Sequence, residues 1–164
     1  MSVDEKTIEA LREALDDEYK ARATYQSVID KFGPVRPFVN IIEAEERHAS
    51  ALLRLFERFG VEPPNDRWSG QVPAPSSLAE ACKAGVAAEI ENAAMYERLL
   101  AQVSDARVRE VLTRLQEASQ QRHLPAFRRC AERPSGGARQ MRRFAARGAV
   151  AGDITAPASS RRGQ

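Results

Sequence analysis

The feature that most constrains this chain is a repeat of polar and charged residues at positions a helix would give to its core. The segment Glu18-Tyr-Lys-Ala-Arg-Ala-Thr-Tyr25 returns as Glu89-Ile-Glu-Asn-Ala-Ala-Met-Tyr96, each placing a glutamate seven residues before a tyrosine. Seven residues are two helical turns, so each pair shares one face. A second correspondence follows the first, between Glu45-Glu-Arg-His48 and Gln120-Gln-Arg-His123. The step from glutamate to histidine is 30 residues from Glu18 to His48 and 34 from Glu89 to His123. Each half therefore reads as one helix hairpin of a common design, the two related by a pseudo-two-fold axis. A solvated helix face gives no reason for such agreement.

Apolar periodicity places these residues on four helices. Ser2 with Glu5 reads as a capping box opening the first, whose stripe is Ile8, Leu11, Leu15, Glu18, Arg22, Tyr25 and Ile29, ending near Phe32-Gly33. The second opens near Pro34–Pro37, carries Phe38, Ile41, Glu45, His48, Leu52, Leu55 and Phe59, and stops at Gly60. Residues 61–76 are proline-rich and break any helix. Ser77 with Glu80 opens the third, with Leu78, Cys82, Gly85, Glu89, Asn92, Tyr96, Leu99 and Val103 on its stripe. Ser104 or Asp105 caps the fourth, which carries Val108, Leu112, Leu115, His123, Phe127 and Cys130 and ends before Pro134.

Helices of about 25 residues are about 38 Å long. The turns after helices one and three are short, so each pair packs antiparallel. The linker between helices two and three, about 17 residues, reaches about 55 Å when extended. That crosses the whole bundle and starts helix three parallel to helix two. An all-α, up-down-down-up bundle over residues 1–133 is expected, followed by a disordered arginine-rich tail over 134–164.

Glu18, Glu45, His48 and Glu89 lie on stripes otherwise held by Leu, Ile, Phe and Tyr. An ionised carboxylate in a core costs several kcal/mol unless it is paired or binds a cation. A glutamate and a histidine at i and i+3 address one cation with a hard oxygen and a borderline nitrogen, a donor set that suits iron or manganese, and also zinc. For Glu18 and Glu89 the structural alternative is a buried hydrogen bond to the opposite tyrosine. Arg22, on the stripe of helix one, is a candidate partner for a metal-free carboxylate.

On these residues the chain resembles the ferritin-like superfamily, nearest its rubrerythrin-type di-iron carboxylate branch, over roughly residues 4–132. That family takes one glutamate from each of two helices and a Glu-x-x-His pair from each of the other two. The resemblance implies Glu18 and Glu89 as the lone carboxylates, Glu45 and His48 as the first pair, and His123 as the histidine of the second. The second glutamate falls on Gln120, a neutral residue and a poor bridge, so one or two ions are expected at an asymmetric centre. Tyr25 and Tyr96 are implied as hydrogen-bond donors to the carboxylates or as electron relays. The implied cofactor is iron, with ferroxidase or peroxide-reducing chemistry on O₂ or peroxide. The chain has no Cys-x-x-Cys pair of a rubredoxin type, so electrons must come from Cys82 and Cys130 or from a donor protein. A homodimer or larger assembly is expected by the same resemblance. The competing expectation is a ferritin-like bundle without metal, acting as a structural or binding module.

Charge and composition bound the rest. Residues 1–133 carry 19 basic and 22 acidic side chains, whereas 134–164 carry six arginines against Asp153. The overall charge of +2 thus comes from the end of the chain, where nucleic-acid binding would have to reside. No apolar run approaches the roughly 20 residues that span a bilayer, and the N-terminus lacks a signal-like pattern. A cytoplasmic location and reduced cysteines are therefore expected. Cys82 lies seven residues before Glu89 and Cys130 seven after His123, which places both thiols at one level about 10 Å from the metal layer.

Overall fold

The computed structural model describes residues 3–133, and they are all-helical. Helix α1 spans Glu5–Phe32, α2 Phe38–Phe59, α3 Leu78–Gln102 and α4 Ala106–Ala118. A π-helical turn, Ser119–His123, continues α4 directly into α5, Leu124–Ala131, so these three pieces form the fourth rod of the bundle. The arginine-rich tail read from the sequence lies outside the described residues, as does Ser2.

Local chemistry sets most of the boundaries. The cap of α1 is Asp4, whose carboxylate accepts from the Thr7 amide at 2.9 Å and the Thr7 hydroxyl at 2.7 Å. This corrects the box expected from Ser2 and Glu5; a carboxylate at the N-cap satisfies an orphan amide and also suits the helix dipole. Helix α2 ends at Gly60, whose φ of 64° is left-handed backbone that glycine adopts without a Cβ penalty. Ser77 caps α3 by accepting from the Glu80 amide, and Asp105 caps α4 by accepting from the Arg107 and Val108 amides.

Cross-helix contacts fix the topology. Tyr25 meets Glu89 while Tyr96 meets Glu18, so α1 and α3 run antiparallel. The crossover lies along α1: Arg67 pairs with Asp16 at 2.9 and 2.8 Å, Asp66 with Arg22 at 2.8 Å, and the Pro75 carbonyl accepts from Lys31. Trp68 donates its indole N–H to Asp16 and packs on the core. The chain therefore travels the length of the bundle between α2 and α3, giving the up-down-down-up order.

Two apolar layers result, with a polar one between them. One contains Leu11, Leu15, Leu52, Phe56, Leu99 and Leu112. The other contains Tyr25, Val28, Phe38, Ile41, Phe127 and the two cysteines. Each fully buried side chain of this size contributes about 1.5–3 kcal/mol. Cys82 and Cys130 sit at one level facing inward as expected, but they are joined as a disulfide linking α3 to α5, which corrects the reduced-thiol expectation. Their Cα atoms are 5.5 Å apart, the usual spacing for such a bond.

Gly85 on α3 is a packing requirement. A Cβ built there would lie 2.5 Å from Cδ1 and 2.7 Å from Cε1 of Phe127. The ring cannot retreat, because its centroid is 5.2 Å from Tyr25 and 5.3 Å from Phe38. Gly85→Ala is expected to lose about 1–3 kcal/mol in urea unfolding, since overpacking outweighs the better helix propensity. Adding Phe127→Leu, which frees space beside the new methyl, should make the two effects non-additive.

Candidate metal centre

The polar layer is built from four rods. Glu18 comes from α1, Glu45 and His48 from α2, Glu89 from α3 and His123 from the π turn. Glu18, Glu45 and Glu89 are 2–3% exposed and His123 5%, so all four belong to the interior. Two overlapping donor groups form: Glu18, Glu45 and His48 on one side, Glu45, Glu89 and His123 on the other, each with its ligand atoms within 4.8 Å of one another.

Glu45 joins them. Its Oε2 lies 2.8 Å from Nδ1 of His48, and its Oε1 lies 3.2 Å from Nδ1 of His123. The same Nδ1 atoms stand 3.3 Å from Glu18 and 3.6 Å from Glu89. The imidazole rings stack with centroids 5.5 Å apart. The tyrosines close the layer crosswise: Tyr25 donates to Glu89 at 2.9 Å and Tyr96 to Glu18 at 2.5 Å. Each repeat's tyrosine thus holds the other repeat's carboxylate, the hydrogen bond foreseen as the alternative to ligation.

The symmetry breaks on the fourth rod. Gln120 is exposed and does not line the cavity, so its place as a doubtful ligand is corrected. Ser119 faces the centre instead, with its hydroxyl 2.6 Å from Glu89 Oε2. The cause is the π turn, in which the Leu124 amide bonds to the Ser119 carbonyl, five residues back. Such a turn holds more residues than an α turn, so i and i+4 share the face that i and i+3 share on α2. Two signals for this stand in the sequence. Pro125 removes a ladder N–H, and Leu115, Ser119, His123 and Phe127 follow one another at four-residue steps, which an α-helix does not sustain on one face.

Arg22 is also corrected. It pairs outward with Glu46 and Asp66 and takes no part in the centre. Asp17 and Asn92, one beside Glu18 and one a turn beyond Glu89, line the same cavity of about 70 Å³. Asn92 donates to Asp17 at 2.7 Å, and its Oδ1 is buried with no partner among the described residues.

Protonation in this layer follows from burial and neighbours. Burial, reinforced by the charge on Glu45, pushes Glu18 up to about 8. Burial also opposes ionisation of Glu45, but hydrogen bonds from His123 and His48 outweigh it and hold Glu45 at about 2. Burial pulls both imidazoles down, and their carboxylate partners more than reverse this, to about 10 for His48 and about 9 for His123. Burial, with the adjacent carboxylates, keeps Tyr25 and Tyr96 well above the usual phenol range, so both remain donors. Without a cation, then, the layer neutralises itself with protons.

The donor chemistry fits a cation. Three carboxylates and two imidazoles converge through oxygen and Nδ1 atoms, and Glu45 presents one oxygen to each half. Three negative charges against two divalent ions leave the set short of the four carboxylates found in the symmetric arrangement.

The profile of the Rubrerythrin family matches residues 9–131. A hypothetical protein from Methanococcus jannaschii shares the fold with a TM-score of 0.72 at 24% identity, over 80% of this chain and 82% of its own. A bacterioferritin from Mycobacterium tuberculosis aligns with a TM-score of 0.66 at 18% identity, over 79% of this chain and 86% of its own. None of the curated proteins matches the sequence.

The raised values of His48, His123 and Glu18 carry one sign. Each group holds its proton more tightly folded than unfolded, so its stabilisation is complete below the unfolded value and is lost as pH rises through the folded one. In chelator, urea stability should fall steadily from about pH 6 to about pH 10, the window between the ordinary histidine value and the folded ones. The His48→Gln/His123→Gln double variant should flatten that slope.

Proposed function

The chain belongs to the rubrerythrin family, among the ferritin-like proteins, and from that premise we propose that residues 1–133 bind iron and carry out ferroxidase or peroxide-reducing chemistry. The observation that carries this reading is Glu45, buried and shared between two histidine–carboxylate groups. A buried carboxylate with one oxygen toward each half is the arrangement a bridge between two ions requires.

In this reading Glu18 and His48 hold one side, Glu89 and His123 the other, and Glu45 spans them. Manganese or zinc would satisfy the same donors, so the choice of iron rests on the family. Bound iron supplies the electrons that reduce O₂ or peroxide. The protein's own groups do the remainder. The Tyr25 and Tyr96 hydroxyls fix the Glu89 and Glu18 carboxylates and offer protons at Oη. Ser119 steadies the free oxygen of Glu89, in place of a fourth carboxylate. The apolar layers above and below exclude water, which strengthens every electrostatic contact within. Re-reduction is assigned to a donor protein. The described residues contain no helix long and apolar enough to cross a membrane. We place the reaction in the cytoplasm, in a homodimer or larger assembly.

One observation favours a second reading. The layer is hydrogen-bonded through both histidines and both tyrosines without any ion, as a metal-free binding module would require.

Metal analysis after anaerobic loading separates the two. One to two ferrous ions per chain are expected, and Glu45→Ala should abolish uptake while the tyrosine variants retain it. Oxidation of the loaded iron by O₂ should be slowed at least ten-fold in Tyr96→Phe, if the phenol orients Glu18 for turnover. A chain that takes up no iron and no manganese would reject the redox reading in favour of the module.

A further inference from the structure

A groove of about 660 Å³ lies between α2 and the α5 end of the fourth rod, lined by both histidines and by Glu43 but not by Glu18, Glu45 or Glu89. His48 and His123 line its floor. Arg47 and Arg122, each the residue before a histidine, belong to the internal repeat and line it together. Arg36, Arg129 and Arg133 extend the same wall. All five arginines are exposed, and none has an ion-pair partner among the described residues. Arg22, Arg67, Arg98, Arg107 and Arg114 elsewhere on the surface each pair with an acid. The concentration is local, since residues 1–133 as a whole are mildly acidic.

Repulsion among unpaired guanidinium groups costs free energy unless an anion offsets it. The histidines add a directional demand. Both spend Nδ1 on carboxylates, and neither Nε2 has an acceptor among the described residues. With Nδ1 turned to the carboxylates, each ring presents its Nε2 edge to the groove. Histidines that hold a metal usually turn their second ring nitrogen to a carboxylate, a carbonyl or water. Here the groove supplies five arginines against one carboxylate, Glu43, which makes no hydrogen bond to either ring.

We propose that this groove binds a small oxyanion of the phosphate class, accepting from the guanidinium groups of Arg47 and Arg122 and seated against the Nε2 edges of His48 and His123. The side chains of the two histidines are 13% and 6% exposed, which suits a ligand of a few atoms seated at the floor. The planar guanidinium fork matches phosphate oxygens in pairs, and the basic side chains lining the groove are all arginine, with no lysine. The bound anion supplies negative charge on the outer side of a centre that has one carboxylate fewer than the symmetric arrangement. Its binding does not depend on the iron reading, because the guanidinium groups keep their charge with or without a cation in the centre.

The test is calorimetric titration of inorganic phosphate into the full chain in chelator. One-to-one saturable binding is expected. Arg47→Ala/Arg122→Ala should weaken it at least about ten-fold, with unchanged helical circular dichroism. Arg54→Ala/Arg58→Ala, the same charge change at the far end of α2, should leave it unaltered. The Nε2 resonances of His48 and His123 should shift on phosphate addition. No saturable binding at millimolar phosphate would overturn the proposal. So would an equal loss in the Arg54/Arg58 variant, immobile Nε2 resonances, or duplex DNA that binds the groove arginines without competition from phosphate.

Discussion

Glu45 sets the terms for the rest of the bundle. It is a carboxylate with 3% exposure, and isolated it would cost several kcal/mol to bury ionised. Both of its oxygens face imidazole nitrogens, so the cost is offset only if two histidines arrive from two different helices. Those histidines in turn draw Glu18 and Glu89 inward, and these draw the two tyrosines. The polar layer is therefore a closed chain of dependence, and removing any member leaves a buried group without its partner. Protons satisfy that chain in the absence of a cation.

The bundle is arranged to hold this layer fixed. Apolar clusters lie on both sides of it, one dominated by leucines and the other by aromatic rings and the cysteine bridge. Tyr25 belongs to the second cluster and to the polar layer at once, with its ring against Phe38 and Phe127 and its hydroxyl on Glu89. The crossover, fastened by Arg67, Trp68 and Asp66, holds α1 against the other helices along much of its length. Rigid packing and the placement of the polar side chains are in this way one property.

The two halves diverge where their backbones diverge. A π turn on the fourth rod gives Ser119 the position that Glu45 holds on α2, and the centre loses one carboxylate. The repeat is kept in Arg47 and Arg122, each the residue before a histidine, and both line one groove. The inner side of the layer is thus less negative than full symmetry would make it, while the outer side is cationic.

Much of this was legible in the chain itself. Four helices, their faces, the hairpin repeat, the long crossover and the convergence of Glu18, Glu45, His48, Glu89 and His123 follow from periodicity and spacing, because helical phase is a local property. The sequence alone also placed both cysteines at one level. What it left open depends on geometry between helices. Phase counting named Gln120, but a π turn changes the residues per turn, and only the folded rod turns Ser119 inward. Arg22 lies on the stripe by count, yet its long side chain reaches outward to Glu46 and Asp66, which come from α2 and the crossover. Whether the cysteines touch, which tyrosine holds which glutamate, and that five arginines share one groove were decided by distances across the bundle. Sequence spacing fixes the face a residue occupies; tertiary packing decides what it meets there.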